Sequence, residues 1–363
     1  KIHIGSRRKV ILGSKLNYSP PENLVSSFNV DTISGELIWT DTNNGASTYD
    51  VYSSTNGGAD VFLATTAKGA TSYIDPTCKQ NANVVYKVKS RGSDFASALT
   101  LSTPLCLKSN QSTLTQASFF MISIDAGKSI IINWGDGTSQ TLSGINTNVA
   151  KDYAETGQYN VALSGDTDYI NSFSIRQSQW YGDLSNWNTP KSMVSFSIWS
   201  SPNIDLDVSK FDFKNIITLG LDAAGVFGII TGKTIPTQMN SIKIINSQVE
   251  GKFPNISESF TNSWVYASAC KLSGFDTTNF RPSMLIFDVS NQKVLVTTFE
   301  IDKLLLNLAN YYEVNAPTAN VTINMSGANM GIPTGGSSNA DLTRLVGYYT
   351  AAGFTATVIV RTS

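Results

Sequence analysis

Between Ile170 and about Ser290 the apolar positions recur at a fixed spacing. The blocks Ser172-Phe173-Ser174-Ile175, Ser195-Phe196-Ser197-Ile198, Thr218-Leu219-Gly220-Leu221 and Ser241-Ile242-Lys243-Ile244 each begin 23 residues after the last. A fifth block falls at Trp264-Val265-Tyr266-Ala267. A sixth falls at Ile286-Phe287-Asp288-Val289, one residue short of the period. Polar and apolar positions alternate within each block, which predicts strands. A further apolar residue stands three positions before the first inward site in Ile170, Met193, Ile216, Met239 and Met284. Units this small cannot bury an apolar side alone and must stack on their neighbours to do so. A stacked array displays a surface, and a displayed surface points to binding.

The alternation also says which residues face outward. With Phe173/Ile175, Phe196/Ile198, Leu219/Leu221 and Ile242/Ile244 turned inward, the residues between them must leave a parallel sheet on its open side. Three outward columns follow. The first is Ser172, Ser195, Thr218, Ser241 and Trp264; the second is Ser174, Ser197, Gly220, Lys243 and Tyr266; the third is Arg176, Trp199, Asp222, Ile245 and Ser268. Hydroxyls give way along the array to Trp199, Trp264 and Tyr266, the mixture that stacks on a sugar ring or grips a protein. Arg176, Trp199, Asp222, Lys243, Trp264 and Tyr266 are therefore the candidate ligand-binding residues. The plainer alternative is that serine and threonine only fill an open sheet face. Segments between the blocks, such as Asn203–Asp207 and Glu250–Pro254, read as extended turns without helical periodicity. The whole block resembles the divergent leucine-rich-repeat proteins of gut Bacteroidota and their phages, though its turns fit the asparagine-containing consensus of that family poorly.

Around this block the chain divides into further modules. Residues 1–19 predict a hairpin, Ile2–Ser6 and Val10–Ser14 about the basic Arg7-Arg8-Lys9, too small to be stable alone. Its natural role is attachment, by adding to a sheet of this chain or of another protein. It resembles the start of tail and fibre proteins in phages of Bacteroidota. Pro20-Pro21 forms a stiff linker. Residues 20–108 show short alternating strands, at Glu36–Trp39, Tyr49–Tyr52 and Val84–Val88, separated by Asn43-Asn44-Gly45 and Asn56-Gly57-Gly58 turns. With Trp39, Tyr49-x-Val51-Tyr52 and Tyr86-x-Val88, this stretch resembles a fibronectin type III β-sandwich. Residues 109–169 carry Trp134-Gly135-Asp136-Gly137, then Tyr153, Gly157 and Tyr159-x-Val161. That pattern resembles a PKD-like β-sandwich, with Asp152 where the family usually has histidine. Asp136 is expected to cap its own turn.

After Leu295 the period lengthens. Residues 300–309 have helical spacing with Thr298 as a cap, Val321–Met325 reads as a strand, and a second helix runs from about Asn339 to Ala352 before Gly353. A final strand ends the chain. Residues 296–363 are thus expected to form an α/β cap over the last open edge of the solenoid 170–295. The loop at Gly335-Gly336-Ser337-Ser338 lacks the lysine and spacing of a phosphate loop. The expected fold is mainly β: two β-sandwich modules, then a leucine-rich-repeat-like parallel solenoid with a small α/β cap.

Composition narrows the chemistry. The 363 residues are enough for roughly two to four domains. With 26 basic against 27 acidic residues and only 15% charged, no field is present to attract nucleic acid. No run of about 18 apolar residues predicts a membrane span. Lys1 leaves a cleaved leader and a shortened chain both open. A lone histidine, His3, removes most Ser-His, Cys-His and His-metal arrangements, and no metal or other cofactor is expected. If the fibronectin resemblance holds, Cys78 and Cys106 lie at adjacent strand ends, where either a disulfide or two thiols would fit. Cys270 reads as a small buried side chain.

Three functions follow as expectations. One is a non-enzymatic phage virion protein of tail- or head-fibre type, held by its N-terminal hairpin to other virion or surface proteins and meeting a host-surface glycan or protein through the solenoid. Another is a secreted or cell-surface adhesin of a Bacteroidota bacterium. The third, a glycoside hydrolase, needs two carboxylates facing a cleft, with Asp205, Asp207, Asp212 and Asp222 as candidates. Fibre proteins of this look are often trimeric; no heptad here speaks for it, and a homo-oligomer stays open.

Overall fold

The structure is a computed structural model that describes residues 18–112, 118–144, 147–177, 179–223, 225–256, 263–278, 280 and 282–362. The predicted hairpin strands of residues 1–17 lie outside them. The chain forms two compact units. One takes residues up to Cys78 together with Ala82–Thr103, and the other takes Lys79–Asn81 and Pro104–Ser363.

The first unit is a two-layer β-sandwich. Its strands are β1 (Glu22–Asn29), β2 (Ser34–Thr40), β3 (Tyr49–Thr55), β4 (Val61–Thr65), β5 (Ser72–Asp75), β6 (Ala82–Ser90) and β7 (Leu99–Thr103). They pair as a three-stranded sheet, β1-β2-β5, and a four-stranded sheet, β4-β3-β6-β7. The period-two pattern drives this: Leu37 and Trp39 from one sheet, with Tyr49, Val51, Val84, Tyr86 and Val88 from the other, fill one small core. The buried Tyr86 hydroxyl donates to Asp75 at 2.9 Å, which removes a polar orphan from that core.

The second unit is built on two long sheets. An antiparallel sandwich comes first, from β8 (Leu105–Gln111), β9 (Ser118–Ile124), β10 (Ser129–Asn133), β11 (Ser139–Ser143), β12 (Thr147–Lys151) and β13 (Gly157–Gly165). A β-solenoid of about 5 turns follows. Its strands alternate between two parallel ladders. The front ladder holds β14 (Ile170–Arg176), β16 (Ser195–Trp199), β18 (Thr218–Asp222), β20 (Ser241–Ile245), β22 (Ser263–Tyr266) and β24 (Met284–Asp288). The back ladder holds β15 (Trp180–Asp183), β17 (Asn203–Asp207), β19 (Val226–Ile229), β21 (Gln248–Phe253) and β23 (Lys271–Phe275).

The front register reproduces the sequence period. Phe173 faces Phe196, Phe196 faces Leu219, Leu219 faces Ile242, and Ile242 faces Val265. All are buried, as are Ile170, Met193, Ile216, Met239 and Met284. After a register shift between Ser263 and Trp264, Trp264 pairs with Ile286, so this last front pair keeps the spacing one residue short of the period. Each such side chain contributes about 1.5–3 kcal/mol when taken from water.

The expected extended turns are instead the second strand of each coil. Ile204 and Leu206 of β17, and Val249 and Phe253 of β21, are buried against the front ladder. The Asn and Asp residues that made Asn203–Asp207 look like a turn occupy its outward positions, which alternation allows.

Both ends of the solenoid are closed, by different means. At the first end β9 pairs antiparallel with β14 and β8 pairs antiparallel with β15. The sandwich sheets therefore run on into the two solenoid ladders as single sheets of nine and ten strands. One hydrophobic core extends from Leu105 to Tyr349. Residues 109–169, 170–295 and 296–363 accordingly share one core, and the division read at 108/109 falls inside β8. Leu105 and Leu107 are buried in this second core; a strand's alternation does not say which core it joins.

At the far end come helix α1 (Thr298–Val314), β25 (Val321–Met325), helix α2 (Ala340–Ala351) and β26 (Ala356–Val360). β25 and β26 extend the front sheet by two parallel strands. The cap thus lengthens the front sheet and covers the back one. Helix α1 packs on β23, buries Ile301, Leu304, Leu305 and Leu308 in the common core, and supplies the partners a further back strand would have given. Glu300 accepts from the Phe275 amide at 3.1 Å, Lys303 donates to the Phe275 carbonyl at 2.9 Å, and Asn307 donates to the Thr277 carbonyl at 3.0 Å. Side chains satisfy a sheet edge that would otherwise be orphaned. Thr297, one residue before the predicted cap, accepts from the Glu300 amide and starts α1.

No disulfide links the three cysteines, all of which are buried. Burial pushes the Cys78 thiol up to about 11 and the Cys106 thiol up to about 12. Cys270 sits in the core and its thiol donates to the Ile244 carbonyl at 3.0 Å.

Candidate functional site

The outward side of the front ladder carries a shallow groove of ≈ 420 Å³. Arg176 comes from β14, Ser195, Ser197 and Trp199 from β16, Thr218 and Gly220 from β18, Ser241 and Lys243 from β20, and Trp264 and Tyr266 from β22. Adjacent strands in register bring residues 23 positions apart side by side, so Arg176 neighbours Trp199, Ser241 neighbours Trp264, and Lys243 neighbours Tyr266. Five of the six candidate residues, Arg176, Trp199, Lys243, Trp264 and Tyr266, meet here.

Asp222 does not line the groove. It lies beside Trp199 in the ladder, but its carboxylate accepts from the Asn246 side chain at 2.9 Å.

Trp199 organises the centre. A Cβ at Gly220 would lie 2.8 Å from the Trp199 ring and 3.1 Å from the Ser197 Cβ. The missing side chain is therefore what lets the indole settle across the neighbouring strand. On the next strand Lys243 holds its ammonium 4.2 Å from the Trp199 ring centroid and 5.8 Å from that of Tyr266. Such a cation–π arrangement contributes on the order of 0.5–1 kcal/mol at a partly exposed site. It also fixes a long flexible chain between two rings. Trp264, at 37% exposure, is the most open of the three aromatic residues.

The hydroxyl side is ordered as well. Ser197 donates to the Ser174 hydroxyl at 2.7 Å, and Arg176 Nε donates to the same hydroxyl at 3.2 Å. Serine here has more than a space-filling place, because it links neighbouring strands and steadies the arginine. Chemically, the groove offers aromatic faces for the C–H side of a ring, hydroxyls for its polar edge, and two cations.

The four candidate carboxylates of the hydrolase reading are not gathered at one place. Asp205 is exposed on the back ladder beside Asp183, and burial, then the Asp183 charge, push its carboxyl up. Asp207 accepts from the Ser209 amide at 2.9 Å, and Asp212 accepts from the Lys214 amide at 2.9 Å, both as turn caps. Asp222 belongs to the front. Asp136 caps its own turn, accepting from the Thr138 amide at 2.9 Å, and bridges to Lys151 at 2.8 Å. Burial pushes the Asp136 carboxyl upward, but Lys151 and the two Thr138 donors outweigh it and hold it down at about 2.

Among the described residues no cluster of His, Cys, Asp and Glu could hold a metal ion, and no helix is long and apolar enough to cross a membrane. The columns expected from period and alternation pair strand to strand as far as Tyr266, whereas Ser268 lies beyond β22 and Ser174 is buried. Sequence reasoning did not reveal what Gly220 is for: its signal was a glycine in a column of side-chain-bearing residues.

No protein-family model and no curated protein matches the chain. Among solved structures it is similar to pectate lyase Pel3 from Pectobacterium carotovorum, at 12% identity over 75% of this chain and 84% of that one. The TM-score is 0.18, too low to carry an argument about fold or chemistry.

Proposed function

We propose that this chain is a non-enzymatic attachment protein whose front solenoid face binds a host-surface glycan, on a phage virion as a tail- or head-fibre-type component. One observation carries the attachment reading: Trp199, Trp264 and Tyr266 converge on a hydroxyl-lined groove with Arg176 and Lys243. Aromatic faces beside fixed hydrogen-bonding groups suit a sugar, whose rings present one apolar and one polar side. A sheet face is rigid, so little ordering cost is incurred on binding.

The virion placement rests on the resemblance of residues 1–19 and on the modular series of sandwich, sandwich and repeats. A secreted or cell-surface adhesin of a Bacteroidota bacterium would use the same groove. Antibodies raised to the chain separate the two, by decorating purified phage particles or the bacterial surface.

The attachment reading is tested with the soluble full chain on a glycan array and on whole cells. Binding is expected, and the combined change of Trp199, Trp264 and Tyr266 to Ala should abolish it while circular dichroism stays that of a β protein. Blank results on both array and cells, or binding untouched by the triple change, would overturn it. Release of reducing ends from a bound glycan would reopen the hydrolase reading, with Asp205 as the first carboxylate to replace.

A further inference from the structure

Resting on the glycan reading above, we infer that the groove is selective for a carboxylate-bearing oligosaccharide over a neutral one. The argument is charge complementarity. Arg176 and Lys243 both line the groove, and no Asp or Glu is among its lining residues. The whole chain is almost balanced, with 26 basic and 27 acidic residues, so this bias belongs to the groove and not to the protein at large.

The nearby front-sheet carboxylates are turned to other work. Asp222 accepts from Asn246, and Asp288 accepts from the Ser290 amide at 3.0 Å and its hydroxyl at 2.7 Å. Arg176 is exposed, and its Nε donates to a neutral hydroxyl. It makes no ion pair among the described residues. A guanidinium in that state presents its terminal nitrogens as a planar fork, the geometry that a carboxylate matches with two parallel bonds. Lys243, held over Trp199, adds a second fixed positive charge.

The strand order shows how the two cations reach one place. Arg176 lies on β14 and Lys243 on β20, three steps apart in the strand order β14-β16-β18-β20. At one inter-strand spacing per step this separates the two backbones by about 14 Å. Trp199 and Gly220 occupy the interval. The Lys243 ammonium reaches back over the Trp199 ring, and Arg176 is that residue's neighbour on the other side, so an oligosaccharide laid across the strands would meet both cations beside one indole.

The experiment uses the full chain and three sets of oligosaccharides matched in length: neutral, uronic-acid- or sialic-acid-containing, and neutral backbones bearing sulfate. Binding is read by titration calorimetry at low and high salt. The carboxylated set should bind best and weaken as salt rises. Arg176→Gln, at an exposed position, should weaken that set roughly tenfold, the loss of one charge-assisted hydrogen bond, and weaken any neutral binding much less. Lys243→Arg should keep the preference and Lys243→Gln should reduce it. Equal binding of neutral and carboxylated sets, unmoved by Arg176→Gln, overturns the charge assignment and leaves the glycan reading standing. Binding of the sulfated set alone overturns carboxylate selectivity. No binding in any set removes the glycan reading itself.

Discussion

The two ladders of the solenoid share one core but are built to different standards. Front strands β14 to β20 keep five residues in unbroken register from coil to coil. Back strands are shorter in their pairing, with two paired positions between β17 and β19 and a register shift between β21 and β23. Gly228, on β19, adopts φ +103°, a conformation that suits only glycine. The contrast teaches where a binding surface can be placed. A ladder in strict register repeats its outward columns at fixed spacing, so side chains from four or five strands converge on one groove. An irregular ladder scatters them, and Asp183 and Asp207 serve there as turn caps.

The comparison can be broken most directly in the shared core. Phe196, packed 5.1 Å from Trp187 and 5.2 Å from Phe211, represents the front; Leu206 represents the back. Phe196→Ala and Leu206→Ala should each cost about 3–5 kcal/mol of unfolding free energy in chemical denaturation. If Leu206→Ala costs much less than Phe196→Ala, the back ladder is not an equal partner in the core.

A smaller effect probes how the back ladder ends. Glu300→Ala leaves the Phe275 amide without its acceptor and should cost about 1–3 kcal/mol. Burial raises the Glu300 carboxyl, but the Lys252 ammonium, the Phe275 amide and Lys303 together hold it below its ordinary 4.5. A depressed folded value contributes stability above the unfolded value, and that stability is lost as pH falls through the folded one. Wild type should therefore lose stability below about pH 4.5 more steeply than Glu300→Gln. Identical acid profiles would show that this contact does not hold the end of the ladder.

The smallest effects, and the sharpest comparison, come from a pair of glycines. At Gly228 a Cβ would meet the Asp207 carboxylate at 2.2 Å under a positive φ, so Gly228→Ala should cost about 1–3 kcal/mol and leave glycan binding intact. At Gly220 the backbone is ordinary and the obstacle is the Trp199 ring. Gly220→Ala should cost only about 0.5–1.5 kcal/mol, the range of a displaced rotamer. Yet it should shift tryptophan fluorescence and weaken binding. The reverse outcome would remove the distinction between a displaying ladder and a supporting one.

Much of this was legible in the residues. Alternation and the 23-residue period assign Phe173, Phe196, Leu219 and Ile242 inward and the three columns outward, and from β14 to β20 the ladder pairs those columns residue by residue. Helix spacing and the Asn339 and Gly353 ends located α2 within a residue. Three readings needed correction, each for a long-range reason. Asn203–Asp207 carries turn residues on its outward positions, and only the packing of Ile204 and Leu206 makes it a strand. The boundary read at 108/109 falls inside β8, because a short strand carries no mark of the core it joins. Asp222 shares a column with Trp199, but its carboxylate is drawn to Asn246 on the next coil.

The sequence by itself therefore determined the repeat, the inward and outward faces, and the residues available for a site, since each depends on spacing along one chain. Tertiary structure alone decided that sandwich, solenoid and cap run on as two sheets over a common core. It also decided that helix α1 closes the back ladder with side chains in place of a strand, and that five of the six candidate residues surround one groove. Those outcomes depend on which distant segments pair and on the space left between them, as the bare Cα of Gly220 beneath Trp199 shows.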